Sequence, residues 1–236
     1  MKHIFQQKSS SIIFFLFLAL VVVSGTGCKK MLGLKLQQSA DHVTSVLDPK
    51  INKTALEYLQ DRSYKIPTDT IFKLMYQGIR YAGIDTMEYQ KSNRTFLFLH
   101  NDAILRISGG RAATDCFFGR YTIAGKAATK WSDYPVAFVK NYFLYLISDG
   151  QYTFENLTPD NIEMKTLMPK NADPLNADGT MVLRVVNDRD SKIRVNDFPG
   201  TISYATQRFT LIRTGGILSN SGPIHVADRV IEYRIK

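Results

Sequence analysis

The sequence predicts a single α+β domain, with helices gathered in its N-terminal half, after a secretory leader and a tether. Three observations carry this. Apolar residues recur at helical spacing between residues 52 and 147, β-rich runs separated by turn residues fill the second half, and the N-terminus has the three zones of a signal peptide. The chain has 236 residues, of which 44% are hydrophobic and 11% aromatic, so it can build one sizeable core and does not belong to the disordered class.

Lys2 and Lys8 make a basic start with no acid near them. Ile12 to Val23 is unbroken and apolar but shorter than the ~20 residues of a spanning helix. Ser24-Gly25-Thr26-Gly27 then brings the chain to Cys28. Small residues directly before a cysteine resemble a lipoprotein-processing site, although Gly25 stands where an aliphatic residue is usual. The expectation is therefore cleavage after residue 27 and lipid on Cys28, giving residues 1–27 as leader and 28–48 as a lipidated tether before a domain over 49–236. Two or more acyl chains anchor stably where one does not. With Cys28 acylated, Cys116 is the remaining thiol, and its apolar neighbours Phe117 and Phe118 make it a core residue. No aspartate follows Cys28, which by analogy with retention signals places the protein at the outer membrane, its face left open.

Within the domain, Asn52 to Asp61 reads as a short helix. Pro67-Thr68-Asp69-Thr70 reads as the start of a longer one carrying Ile71, Phe72, Met75, Ile79 and Ala82, with Gly83 as its stop. Thr95–Leu99 is a buried strand. Asn101-Asp102 is a helix start with Asn101 as cap and Ala103 inside, and Gly109-Gly110 ends that unit. Residues 111–131 are ambiguous. Ser132-Asp133-Tyr134-Pro135 starts a helix that runs through Val136, Val139, Phe143, Leu146 and Ile147 to Asp149-Gly150. Met181–Val186, Lys192–Val195, Arg208–Arg213 and Val230–Ile235 are strands, with turns at 187–190, Pro199-Gly200 and Gly215-Gly216. No internal repeat occurs.

Four segments in order resemble the fasciclin-like domain, a helix-decorated β-wedge of adhesion and matrix proteins. The family's T-V-F-A-P-T-N-x-A-F is similar to T-F-L-F-L-H-N-D-A-I here, with Thr95, Asn101 and Ala103 in register and Asp102 in the variable slot. Its L-L-Y-H-x-x-P-G-x-Y-T-x-x-x-L segment resembles residues 143–157, where Tyr145, Gly150, Tyr152, Thr153 and Leu157 coincide. Thr166-Leu167, followed later by Lys192–Asn196, resembles the family's T-L stretch and the strand ending in V-N. The last motif, N-G-x-I-H-x-I-D-x-V-L, is followed by Asn220, Gly222, Ile224, His225, Asp228, Val230 and Ile231, with Ser221 inserted. Leu99 replaces the first motif's proline and Leu146 the second's histidine, as in a divergent member. The resemblance implies a β-wedge and an adhesion or assembly role, with a membrane partner through Cys28 and a protein or glycan ligand.

No catalytic or metal-binding pattern competes. His3 leaves with the leader and His42 lies in the tether. His100 and His225 lack H-x-x-x-H spacing or a cysteine neighbour, and no P-loop, G-x-S-x-G or G-x-G-x-x-G occurs. His225 reads as a fold-holding imidazole that Asp228 could partner. Asn187–Ser191 resembles a calcium loop only briefly and reads as a hairpin turn. Glu155, Asp160 and Glu163 read as solvated loop charges. The net charge of +9, or +7 once Lys2 and Lys8 are removed, is scattered and not interleaved with stacking aromatics, which argues against nucleic acid. The expectation is a non-catalytic envelope lipoprotein without cofactor or metal. The alternative is a glycan-binding accessory of a polysaccharide-uptake system, from the start Cys28-Lys29-Lys30 and the aromatic set Tyr134, Tyr142, Phe143, Tyr145, Tyr152 and Phe154.

Overall fold

The computed structural model describes residues 49–188, 191–198 and 209–233, which belong to the unit Asp48–Lys236. The leader, Cys28, the tether and the Pro199-Gly200 turn lie outside the described residues.

The first helix, α1 (Ala55–Gln60), is set by Thr54 and Glu57, which form a reciprocal capping box: Glu57 N–H donates to Thr54 Oγ1 at 3.2 Å and Thr54 N–H to Glu57 Oε2 at 2.7 Å. A π turn, Asp61–Lys65, continues it. Helix α2 (Lys73–Tyr81) begins later than the Thr68-Asp69-Thr70 cap predicts, and its stop is the expected glycine. Gly83 takes φ +61, while Ile84 N–H reaches Ile79 O and Gly83 N–H reaches Arg80 O, the Schellman arrangement. Gly78 lets α2 press against α5 (Val136–Tyr145), because a Cβ there would lie 2.5 Å from the Phe143 ring.

The remaining elements run β1 (Arg94–Leu99), α3 (Asn101–Ile104), β2 (Ile107–Ser108), β3 (Arg111–Ala112), α4 (Phe117–Arg120), α5, β4 (Ile147–Asp149), β5 (Ile162–Lys165), β6 (Thr180–Val185), β7 (Ile193–Val195), β8 (Thr210–Leu218) and β9 (Pro223–Ala227). Among the described residues every α-helix ends by Tyr145, so the α+β class with helices in the N-terminal half is the observed one. None of these helices is long and apolar enough to cross a membrane.

Seven strands form one sheet in the order β4-β1-β9-β8-β7-β6-β5. All its pairings are antiparallel except β1 with β9, which is parallel in the register Phe96↔Ile224 and Leu97↔His225. The two edges approach each other through a Ser148↔Thr166 bridge and Leu167 N–H to Ile147 O at 2.9 Å, so the sheet is a nearly closed wedge. Closure protects edges that would otherwise pair with another chain.

Several local expectations are corrected. The helix predicted to reach Asp149-Gly150 stops at Tyr145, and Ile147–Asp149 pairs with β1 instead; apolar Leu146 and Ile147 continue the helical spacing, which hides the change of partner. Gly109-Gly110, with φ +58 and +74, is the two-residue turn of a small β2–β3 hairpin, the geometry in which both turn residues need positive φ. Gly215-Gly216 is a bulge inside β8, not a turn. Among the described residues the last strand is β9, and 230–233 of the expected Val230–Ile235 strand form none.

The core is aromatic. Phe72, Tyr89, Phe96 and Phe98 pack on one another beside α1, and Phe117 meets Trp131, Tyr134 and Tyr142 at ring-centroid distances of 5.0, 5.3 and 4.5 Å. Most of the aromatic set that suggested sugar stacking goes inside: Tyr134, Tyr142, Phe143 and Tyr145 are buried, while Tyr152 is half-buried and Phe154 is exposed. Cys116 is buried, with Sγ 3.1 Å from Ala113 O.

Gly222 marks the tightest approach between strands. At φ +144, a Cβ on it would stand 1.9 Å from Arg94 O. Gly222→Ala is expected to cost about 3 kcal/mol, from backbone strain plus a clash that β1 cannot relieve. Gly83→Ala, which meets nothing within 4 Å, is expected to cost about 1 kcal/mol. Urea midpoints of the two variants test this, and equal losses would refute it.

Candidate functional site

Most of the residues singled out in the sequence fall into three clusters. In the first, Thr95 on β1 donates its hydroxyl to Gly150 O at 2.8 Å and accepts Tyr152 N–H at 2.9 Å. Tyr152 O stands 2.8 Å from His225 Nε2, and His225 Nδ1 accepts Gly216 N–H at 3.1 Å. Since Nδ1 is an acceptor, Nε2 carries the proton and donates to Tyr152 O. Thr95, Gly150, Tyr152 and His225, drawn from three separated motifs, thus make one chain of hydrogen bonds from β1 across the segment after β4 to β9 and the β8 bulge. Gly150 holds φ +91, the conformation that turns the chain out of β4 toward Tyr152.

His225 is fully buried, and its partners are main-chain groups. Asp228, the expected partner, instead lies 3.3 Å from Arg229 Nη1 and 3.9 Å from Arg213 Nη1. The reason is register: β9 ends at Ala227, and Asp228 follows it into the surface charge cluster. Desolvation lowers the His225 pKa to about 4, outweighing the opposite effect of the bond to Tyr152 O.

The second cluster surrounds Tyr145 at the end of α5. Its hydroxyl accepts Asn196 Nδ2 at 2.8 Å, and burial pushes the phenol above its ordinary range. Asn196, at φ +55, also reaches Glu232 O at 2.7 Å and accepts Val182 N–H at 3.1 Å. Its position after β7 is the V-N ending noted in the sequence.

The third cluster corrects the role of Asn101. The helix that follows β1 is capped by His100, whose Nδ1 accepts Asp102 N–H at 3.2 Å, while Asp102 Oδ2 lies 3.2 Å from the same nitrogen. Asn101 caps a different helix. Its Oδ1 accepts Leu74 N–H in the first turn of α2 at 2.9 Å, and its Nδ2 donates to Thr70 O at 2.8 Å. Phe72, at the local cap position of α2, supplies no side-chain oxygen, so a residue from across the fold takes that place. Ala103 is buried below it. Asn220 is exposed on the turn before β9, its N–H bonded to Lys53 O at 2.8 Å.

Of the calcium-like stretch, residues 189 and 190 lie outside the described residues; across them Ser191 N–H donates to Asp188 Oδ1 at 2.9 Å. Glu155, Asp160 and Glu163 are exposed. Among the described residues no group of three or more His, Cys, Asp and Glu is placed to hold a metal ion. Sequence reasoning missed one surface feature: Tyr64 on the π turn packs on Tyr76 of α2 at a ring-centroid distance of 5.3 Å, beside exposed Lys73, Gln77 and Arg80. The signal was there, since 73, 76, 77 and 80 share one face of a helix.

No family model and no curated protein matches the chain. Among solved structures it is similar to a FAS1 domain pair from the insect cell adhesion molecule fasciclin I, with 13% sequence identity, a TM-score of 0.44 and 76% of this chain covered. The match spans 51% of that chain, about half its length.

The histidine gives a signed pH dependence. An unfolded imidazole protonates near 6.5, the folded one near 4. Between these values the unfolded state binds more protons, so stability falls with pH through that window and the penalty saturates below it. A loss of about 2 kcal/mol from pH 7 to pH 5 is expected. Urea midpoints at the two pH values measure it, and His225→Gln should flatten the slope; an equally steep variant would refute the assignment.

Proposed function

We propose that the protein is a non-catalytic, fasciclin-like lipoprotein of the cell envelope, held to a membrane through lipid on Cys28, whose domain mediates adhesion or protein assembly. One observation supports it above others. Several of the polar residues that stand out in the sequence are engaged in holding the wedge together: His225 has both nitrogens bonded to main chain, and Asn101 is occupied by α2. A histidine with a pKa near 4 and no free nitrogen is a poor general base at neutral pH. Binding through the outer surface is then the work left to the domain, and a tether of about 20 residues gives it a reach of a few tens of ångströms. The outer membrane is the expected site of anchoring.

A second reading, a glycan-binding accessory of an uptake system, is favoured by the exposed Tyr64–Tyr76 pair with its neighbouring cations.

Metabolic labelling with a lipid analogue tests the anchor. The wild type should incorporate label and sediment with membranes, whereas Cys28→Ala should do neither. Label retained in Cys28→Ala would exclude that attachment site. Pull-down of the anchored protein should recover a defined envelope complex.

A further inference from the structure

We propose that Tyr64, Tyr76, Lys73 and Arg80 form a binding site for a short acidic oligosaccharide of the uronate type. The site deepens the second reading above by naming a ligand chemistry, and it rests on that reading rather than on the anchor.

The residues meet because of two local features. The π turn after α1 carries the chain back over α2, so exposed Tyr64 lies on Tyr76, their rings inclined at 36°. On α2, Lys73, Tyr76, Gln77 and Arg80 recur at i, i+3, i+4 and i+7, one face of the helix. Around them is a groove of about 380 Å³, at the low end of the roughly 300–1,000 Å³ range of small-ligand sites.

Each part suits an acidic sugar. A pyranose has one face of C–H groups, which packs on an aromatic ring, and hydroxyls at its rim, which the Gln77 amide can meet as donor or acceptor. A uronate adds a carboxylate at the ring edge. Lys73 and Arg80 make no ion pair with a described residue, unlike Lys65 and Arg62 nearby, which face Asp61 and Asp69. Arg80 can hold a carboxylate through two parallel hydrogen bonds and Lys73 as a point charge. Seven helical residues separate the two cations, roughly 10 Å along the axis, so the groove suits an oligomer with successive acids rather than one ring. An acidic peptide would seek a pocket for an apolar anchor, whereas this groove is lined by the two inclined tyrosine rings and by the polar Ser63, Lys73, Gln77 and Arg80.

Full-length protein in detergent is titrated calorimetrically with short oligogalacturonate and oligoglucuronate, and with the methyl esters of both. Binding of at least one acid, at least tenfold weaker binding of its ester, and at least tenfold weakening by Tyr64→Ala and by Arg80→Gln are expected. Tyr64→Phe should restore affinity, and Arg111→Gln on the distant hairpin should leave it unchanged. Equal binding of acid and ester, full affinity in Tyr64→Ala, tighter binding of tripolyphosphate or oligoglutamate than of either uronate, or no binding by protein whose fold is verified by circular dichroism would each overturn the proposal. Those outcomes leave the anchored adhesion reading standing, because labelling at Cys28 is read separately.

Discussion

The parallel pairing of β1 with β9 is the constraint on which the rest of the wedge depends. Both strands are apolar and, except at Arg94, buried along their length, so each needs cover on both faces and partners on both edges. β1 obtains its other edge from β4, and β9 from the long bulged β8. The helices of the first half then cover the aromatic side of β1 through Phe72, Tyr89 and Met75. A parallel pair cannot be closed by a tight turn. Here the connection is most of the domain, so the two strands meet only when the intervening chain is in place, which makes their pairing slow to form and cooperative once formed.

That constraint explains why the polar residues are where they are. A sheet with a buried centre and a bulge leaves main-chain groups that no neighbouring strand can satisfy. Gly216 N–H is such a group, opened by the bulge, and Tyr152 O is another, left by the chain turning at Gly150. His225 lies between them and satisfies both with one ring. Its neutrality is the condition of that bond pair, since a protonated Nδ1 could not accept from Gly216. Thr95 plays the same part on the opposite side of the Gly150 turn, and Asn196 does so where β7 ends. Each group buried without its partner would cost about 1–3 kcal/mol, so these side chains hold positions that apolar residues of the same size could not.

Much of this was legible from residue order, and the failures share a cause. The face of α2 and the apolar run of β1 follow from local periodicity, because burial there is decided by the element's own side chains. The class followed from helices preceding strands. The Tyr145 end of α5, by contrast, is set by β1, to which Ile147–Asp149 turns, and nothing within residues 136–150 states that partner. β9 is missing from the strands expected of the sequence, because its apolar run is short and His225 interrupts it. The interruption is tolerated only because Gly216 and Tyr152 arrive from elsewhere. Asn101 is the sharpest case. Its position at a helix start suggested a local cap, yet His100 takes that role and frees Asn101 to cap α2 from across the fold. Local rules identified the residue and its chemistry but not the backbone it serves.

The same distinction bears on where function can lie. Residues prominent in the sequence are prominent because the wedge has few ways to satisfy its buried main chain, so their prominence reports architecture. A binding face is under no such demand and need show no pattern beyond the periodicity of the element that carries it. The face of Lys73, Tyr76, Gln77 and Arg80 is of this kind: the buried side of α2, with Met75, Gly78 and Ile79, fixes the helix, and the outer side is left to carry charge and aromatic surface. Tyr64 belongs to the same outer surface. An aromatic ring left half in water while most large aromatics pack inside has forgone its share of apolar burial, about 25 cal/mol for each Å² left exposed. Its contact with Tyr76 recovers part of that free energy, and a ligand that covers the pair would recover more.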